Sequence, residues 1–140
     1  MKKKLNCILF IDDDDNCNFF HHRLLKKVDC TEQVHFANNG EDALIFLECA
    51  ENGKYPRPAI IFLDINMPKM NGWEFLDAYS KLDVEKKGEI VIVMISTSLN
   101  PDDRQRAENH QEVKGFKDKY LTAESINETI GEFFPDYFGS

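Results

Sequence analysis

Three uninterrupted apolar runs, each cut off by a polar group able to do chemistry, constrain the fold of this chain more than any other feature. Cys7-Ile8-Leu9-Phe10-Ile11 stops at Asp12, Ala59-Ile60-Ile61-Phe62-Leu63 stops at Asp64, and Ile90-Val91-Ile92-Val93-Met94-Ile95 stops at Ser96. A strand with one wet face alternates apolar and polar side chains, so runs like these indicate strands covered on both faces, as in a parallel sheet. Helical spacing separates them. Cys17, Phe20, Leu24 and Val28 recur at steps of three and four, followed by Ala43, Leu44, Leu47 and Ala50 after the Asn39-Gly40 turn, and by Phe75, Leu76, Tyr79 and Leu82. Asn100-Pro101-Asp102-Asp103 combines a helix cap, a first-turn proline and two carboxylates at the positive end of a helix dipole. Thr122 caps a last helix carrying Ile126, Ile130 and Phe133. Gln33–Ala37 and Val113–Lys119 complete the set as weaker strands. Parallel strands need crossover connections, and right-handed crossovers place helices on both faces. Five strand-helix units therefore predict an α/β fold, a five-stranded parallel sheet between two layers of helices.

At 140 residues the chain is expected to form one domain, with a core from about 5 to 134, a short tail over 135–140 and no attached output domain. Its 25 acidic against 17 basic side chains give a net charge of −8, which disfavours nucleic acid and anionic membrane as partners. The basic opening at Lys2, Lys3 and Lys4 is followed by an apolar run too short for a signal-peptide core, so the expected location is the cytoplasm. Cys7, Cys17, Cys30 and Cys49 are too widely spaced for a zinc-binding pair and are expected as reduced thiols, mostly in the core.

Sheets of this class bind ligands at the carboxyl ends of their strands. Those ends deliver Asp12, Asp13, Asp64, Ser96 and Lys119. Singly, each has an ordinary structural meaning: an aspartate run caps a helix, a serine bonds its own backbone, and a lysine is a solvated charge. Together they place three carboxylates on one rim, where mutual repulsion raises their pKa values unless a cation relieves it. Oxygen ligands with open water positions suit Mg2+ or Mn2+. A lysine and a hydroxyl beside them would cradle phosphoryl oxygens. The natural nucleophile is a carboxylate, since no Ser-His or Cys-His arrangement is visible and none of the four histidines has an obvious partner.

Ile8 to Asp14, Phe62 to Leu76 with its D-x-N-M-P-x-M-N-G stretch, Val93 to Ser96, and Gly115 to Lys119 resemble, in order and spacing, the receiver domain of two-component response regulators. The resemblance is to a stand-alone, chemotaxis-type regulator, and implies the flavodoxin-like doubly wound strand order 2-1-3-4-5. It further implies that Asp64 accepts a phosphoryl group from a sensor histidine kinase or histidine phosphotransfer protein in a Mg2+-dependent reaction. Asp13 would bind the metal directly, Asp12 largely through water, and the backbone carbonyl of Asn66 would be another ligand beside Asp64. Ser96 would contact the phosphoryl group and move on activation, Lys119 would pair with it, and Asn66 and Ser98 would tune its hydrolysis. Phe116 would be the switch aromatic, or simply core. Because Asp14 and Asp15 prolong the acidic run, a one-residue shift of the metal-binding pair is the alternative assignment. The readout would be the surface formed by the helix after Asn100, the fifth strand and the last helix, acting on an unidentified protein target as a monomer or weak dimer.

Two positions depart from the family pattern. Tyr120 stands where proline usually follows the lysine, and a cis bond before tyrosine costs roughly 3–4 kcal/mol. The expectation is a trans Lys119-Tyr120 bond in a rearranged loop, or a strained bond held by its surroundings. Phe116 replaces a common tyrosine and lacks its hydroxyl. Two rival readings are a Mg2+-dependent phosphohydrolase, which would want a carboxylate where Asn66 stands, and a receiver-like binding module that is no longer phosphorylated.

Overall fold

The computed structural model describes residues 4–67, 70–87, 90–97 and 100–135. Its elements are β1 (Leu5–Ile11), α1 (Asp15–Val28), β2 (Thr31–Ala37), α2 (Gly40–Glu48), β3 (Ile60–Asp64), α3 (Gly72–Ser80), α4 (Val84–Lys87), β4 (Val91–Ser96), α5 (Pro101–Asn109), β5 (Val113–Asp118) and α6 (Ala123–Phe133). The strands are parallel throughout and ordered β2-β1-β3-β4-β5. The parallel sheet is the one expected from the apolar runs, and its strand order is the one that the resemblance implies. The single-turn α4 was not expected, because four residues carry no periodicity. Among the described residues no helix is long and apolar enough to cross a membrane.

Alternate side chains of the central strands feed two cores. Leu9, Ile11, Ile61, Leu63, Ile92 and Met94 pack on one face with Ala43 and Leu47 of α2 and Phe75, Leu76 and Tyr79 of α3. Ile8, Phe10, Ile60, Phe62, Val93 and Ile95 pack on the other with Leu25 of α1 and Ile126 and Ile130 of α6. Both faces of the three middle strands are thus dry, which is why their sequences run apolar without alternation. Cys7, Cys17 and Cys30 are buried thiols and Cys49 is exposed; all four are free. Helix α5 is held differently. Its buried side chain is Ala107, and Arg106 lays its guanidinium 4.3 Å over the ring of Trp73 in α3.

Two helices differ in detail from the sequence reading. Helix α1 turns Cys17, Asn18, His21 and Leu25 inward, whereas Phe20 is 43% exposed and Leu24 and Val28 are half-buried. The inward stripe includes two polar residues, so a count of apolar positions alone misplaced it by one residue. Ala50 lies beyond the end of α2 and is exposed, since the helix stops at Glu48.

Register sets the functional rim. Ile11 is level with Leu63, and Asp64 with Ile95, so Asp12 follows β1 at the height of Asp64. Ser96 stands opposite Asp118, one residue before Lys119. Helix α3 begins directly against this rim: the Gly72 amide donates to the Ile65 carbonyl at 2.9 Å. A Cβ at Gly72 would meet the Asp64 carbonyl oxygen at 2.8 Å and the Ile65 Cα at 3.0 Å, both backbone atoms that cannot step aside. Gly72→Ala is therefore expected to destabilise the fold by about 1–3 kcal/mol, read as a lower urea midpoint at unchanged slope.

Candidate functional site

Asp12 and Asp64 are buried, at 0% and 2% exposure, and Asp13 is exposed beside them. Each offers a carboxylate oxygen within 4.8 Å of the others. The Lys119 Nζ stands 3.3 Å from Asp12 Oδ1 and 3.4 Å from Asp64 Oδ2. Asp12 Oδ1 also accepts the Asp14 amide at 2.9 Å, and Asp64 Oδ1 accepts the Asn66 amide at 3.3 Å. The Asp14 carboxylate is committed elsewhere: it caps α1, accepting the amides of Asn16 and Cys17. The carboxylates that lie with Asp64 are accordingly those of Asp12 and Asp13.

Ser96 is buried at the end of β4, one residue past Ile95, the register partner of Asp64. Its carbonyl accepts the Lys119 amide at 3.0 Å, extending the β4–β5 ladder to the lysine. The Lys119-Tyr120 bond is trans, as no cis peptide bond occurs among the described residues. Lys119 reaches the carboxylates without one. Asn66 is exposed at the rim. Phe116 lies beside Met94, half-buried against the first core, and borders a groove between α5 and β5 with Arg104, Ala107 and Glu108. Ser98, Pro68, Lys69 and tail residues 136–140 lie outside the described residues.

Among the described residues three carboxylates face one ammonium, which leaves an excess of negative charge. Burial pushes the Asp64 carboxyl up to about 6; the charge of Asp12 adds to this, while Lys119 and the Asn66 amide oppose it. Burial works against the Lys119 ammonium, yet the Asp64 and Asp12 charges outweigh it and hold its pKa above the usual range. One oxygen of the cluster is left over: Asp12 Oδ2 is buried without a hydrogen-bond partner. Leaving a buried carboxylate oxygen unpaired is costly, and a cation ligated from the exposed side would satisfy it. The donors are all hard oxygens, which fit Mg2+ or Mn2+ and not a thiophilic metal.

The sequence reading missed the support behind the carboxylates. Asn18 Nδ2 donates to the Asp12 carbonyl at 3.0 Å, fixing the backbone that aims Asp12. His21 is wholly buried and partnered, with Nδ1 3.7 Å from Cys17 Sγ and Nε2 3.3 Å from the Leu121 amide. Their helical positions six and nine residues beyond Asp12 were visible, but nothing in residue type alone turned them inward.

A raised carboxyl pKa means the folded state holds the Asp64 proton more tightly than the unfolded chain does. The associated stability is present below about 4 and is lost as pH rises through about 6. Without metal, wild-type stability should therefore fall relative to Asp64→Asn by up to about 3 kcal/mol between pH 4 and 7, measured by denaturation at each pH.

Comparison with known proteins agrees with this geometry. The response regulator receiver domain family matches residues 8–130. The chain is 28% identical to a protein named "Probable methanogenesis regulatory protein FilR2" from Methanothrix harundinacea, over 94% of this chain and 83% of that one. It is 33% identical to response regulator Rcp1 of Synechocystis over 69% of this chain and 65% of that protein. Among solved structures it is similar to a two-component response regulator from Cytophaga hutchinsonii, with 31% identity, a TM-score of 0.84, and coverage of 95% and 99% of the two chains. A response regulator receiver protein from Dyadobacter fermentans gives 26% identity and a TM-score of 0.80 over 91% and 97%. With the fold, strand order and acidic rim in place, this chain belongs to the family of response regulator receiver domains.

Proposed function

We propose that this receiver domain is a phosphoacceptor switch in which Asp64 takes a phosphoryl group from a phosphohistidine of a sensor kinase or phosphotransfer protein. The observation that carries this reading is the buried Asp64 carboxylate, fixed between the Lys119 ammonium and Asp12, on a rim that still lacks positive charge. A carboxylate oxygen of Asp64 attacks phosphorus in line, the bond from phosphorus to the histidine nitrogen breaks, and that nitrogen keeps the electron pair and takes up a proton. Lys119 pairs with a phosphoryl oxygen as charge passes to it, and the Ser96 hydroxyl donates to another. Asp13, Asp12, Asp64 and the carbonyl of Asn66 would hold Mg2+, which when bound supplies positive charge to the phosphoryl oxygens.

Phosphorylation then shifts the protein only by stabilising one form more than the other, and a swing from 1:99 to 99:1 takes about 5.5 kcal/mol. Movement of Ser96 toward the acyl phosphate would let the Phe116 region repack, with α5, β5 and α6 as the surface read by a partner protein. Asn66 stands where a hydrolase would place its acid-base carboxylate. An amide cannot exchange protons with water in that role, which favours a persistent phosphoryl state over turnover.

Acetyl phosphate with Mg2+ should label the wild type once per chain with slow decay, and should not label Asp64→Asn. Rapid multiple turnover would indicate a hydrolase, and no labelling a binding module. Lys119→Ala should slow labelling by about 100-fold, the loss expected when one preorganised donor to a developing anion is removed. At ten times its dissociation constant Mg2+ should stabilise the wild type by about 1.4 kcal/mol in thermal denaturation, and Asp13→Asn should lose most of that gain.

A further inference from the structure

Asp64 and Ser96 are strand residues, whereas Lys119 lies one residue past the end of β5. A lysine stem has four rotatable carbons, so where its ammonium rests depends on how firmly the backbone beneath it is fixed. On one side the fixing is plain: the Lys119 amide donates to the Ser96 carbonyl at 3.0 Å. On the other side the chain passes through Tyr120, which is 51% exposed, to Leu121, which is buried, before Thr122 caps α6. The Leu121 amide has a specific acceptor there, Nε2 of His21 on α1, at 3.3 Å.

The chemistry of this contact fixes the form of the ring. To accept an N–H, Nε2 must carry a lone pair, so the proton of the neutral imidazole is on Nδ1, directed at Cys17 Sγ 3.7 Å away. The ring is wholly buried and stacked on Phe10 with centroids 4.7 Å apart. Burial keeps the ring neutral by pulling its pKa down to about 4, against the charge of Asp12 and a hydrogen bond with the Lys119 backbone, both of which favour the charged ring. Phe20, next to it on α1, meets Tyr120 edge-on at 5.9 Å, so the same helix touches the loop at Tyr120 as well as at the Leu121 amide. A phenyl ring at this position would pack on Phe10 equally well. What the imidazole adds is polar contact with the loop, at the Leu121 amide and at the backbone of the site lysine itself.

We infer that His21 is a positioning residue for phosphoryl transfer: by accepting the Leu121 amide it fixes the β5–α6 loop and so holds the Lys119 ammonium against Asp64 and Asp12. The kinetic part of this rests on the phosphoacceptor reading of Asp64; the fixing of the loop does not.

Nitrogen-15 spectra of the wild type at neutral pH should show the Nδ1–H tautomer of His21. In His21→Phe, which keeps the stacking and removes the acceptor, acylation of the Lys119 amine by an N-hydroxysuccinimide ester should accelerate about 5-fold relative to that of Lys114. Labelling of Asp64 by acetyl phosphate at saturating Mg2+ should slow by about 10-fold, a small displacement of a positioned group being enough for that. His21→Gln, whose side-chain oxygen can accept the same amide, should bring both back to within about 3-fold of wild type. On a Lys119→Ala background, His21→Phe should change labelling by less than about 2-fold, because the two residues act through one contact. An Nε2–H tautomer, unchanged Lys119 reactivity in His21→Phe, or equal slowing on the Lys119→Ala background overturns the inference. If the wild type takes no label at all, the phosphoacceptor reading falls instead, and the tautomer and acylation results still decide the role of His21.

Discussion

Like charges can be buried together at the end of a sheet only where opposite charge is built in beside them, and among the described residues that charge is the ammonium of Lys119. Nearly everything near the rim is arranged around that imbalance. Asp12 is fully buried with one oxygen unpaired, Asp64 is driven toward its neutral form, and Asp13 remains in contact with water. A site so poised is incomplete in electrostatic terms, and both a divalent cation and a phosphoryl group bring it closer to balance. The price in stability falls on the unliganded form.

Backbone geometry makes the imbalance possible. The parallel register sets Asp12 and Asp64 at one height, and the contact of Gly72 with Ile65 seats the start of α3 directly behind the Asp64 carbonyl. The acidic run after β1 divides its labour: Asp12 and Asp13 face the rim, Asp14 caps α1, and Asp15 sits in the first turn, where the helix dipole favours negative charge. Four adjacent aspartates thus have different surroundings, although residue type alone makes them interchangeable.

The parts of the fold written in apolar pattern were legible in the sequence. Runs such as Ile60–Leu63 admit few structures other than a doubly covered strand, and Asn100 and Thr122 cap the helices that their side-chain chemistry suits. The rim was legible for a related reason, since a charged or hydroxylated residue ending an apolar strand has no packing role there. What stayed hidden depended on how a helix rolls about its axis. Phe20 falls on the apolar face by its spacing and is substantially exposed; Asn18 and His21, which that spacing leaves out, are buried. A rotation of one residue, about 100°, decides which of them meets the sheet, and polar residues leave no apolar trace of it. Tyr120 was legible as a departure from the family pattern, whereas the contact of this loop with α1 was not.

Helix α5 carries a different kind of consequence. It presents charged and amide side chains over most of its surface, and its attachment consists chiefly of the methyl of Ala107 and the guanidinium of Arg106 lying on an indole. Sliding such a helix exposes little hydrocarbon, so its location is a shallow minimum next to the deep one occupied by the middle strands. If phosphorylation releases free energy at the rim as proposed, α5 is an adjoining element whose displacement uncovers little hydrocarbon.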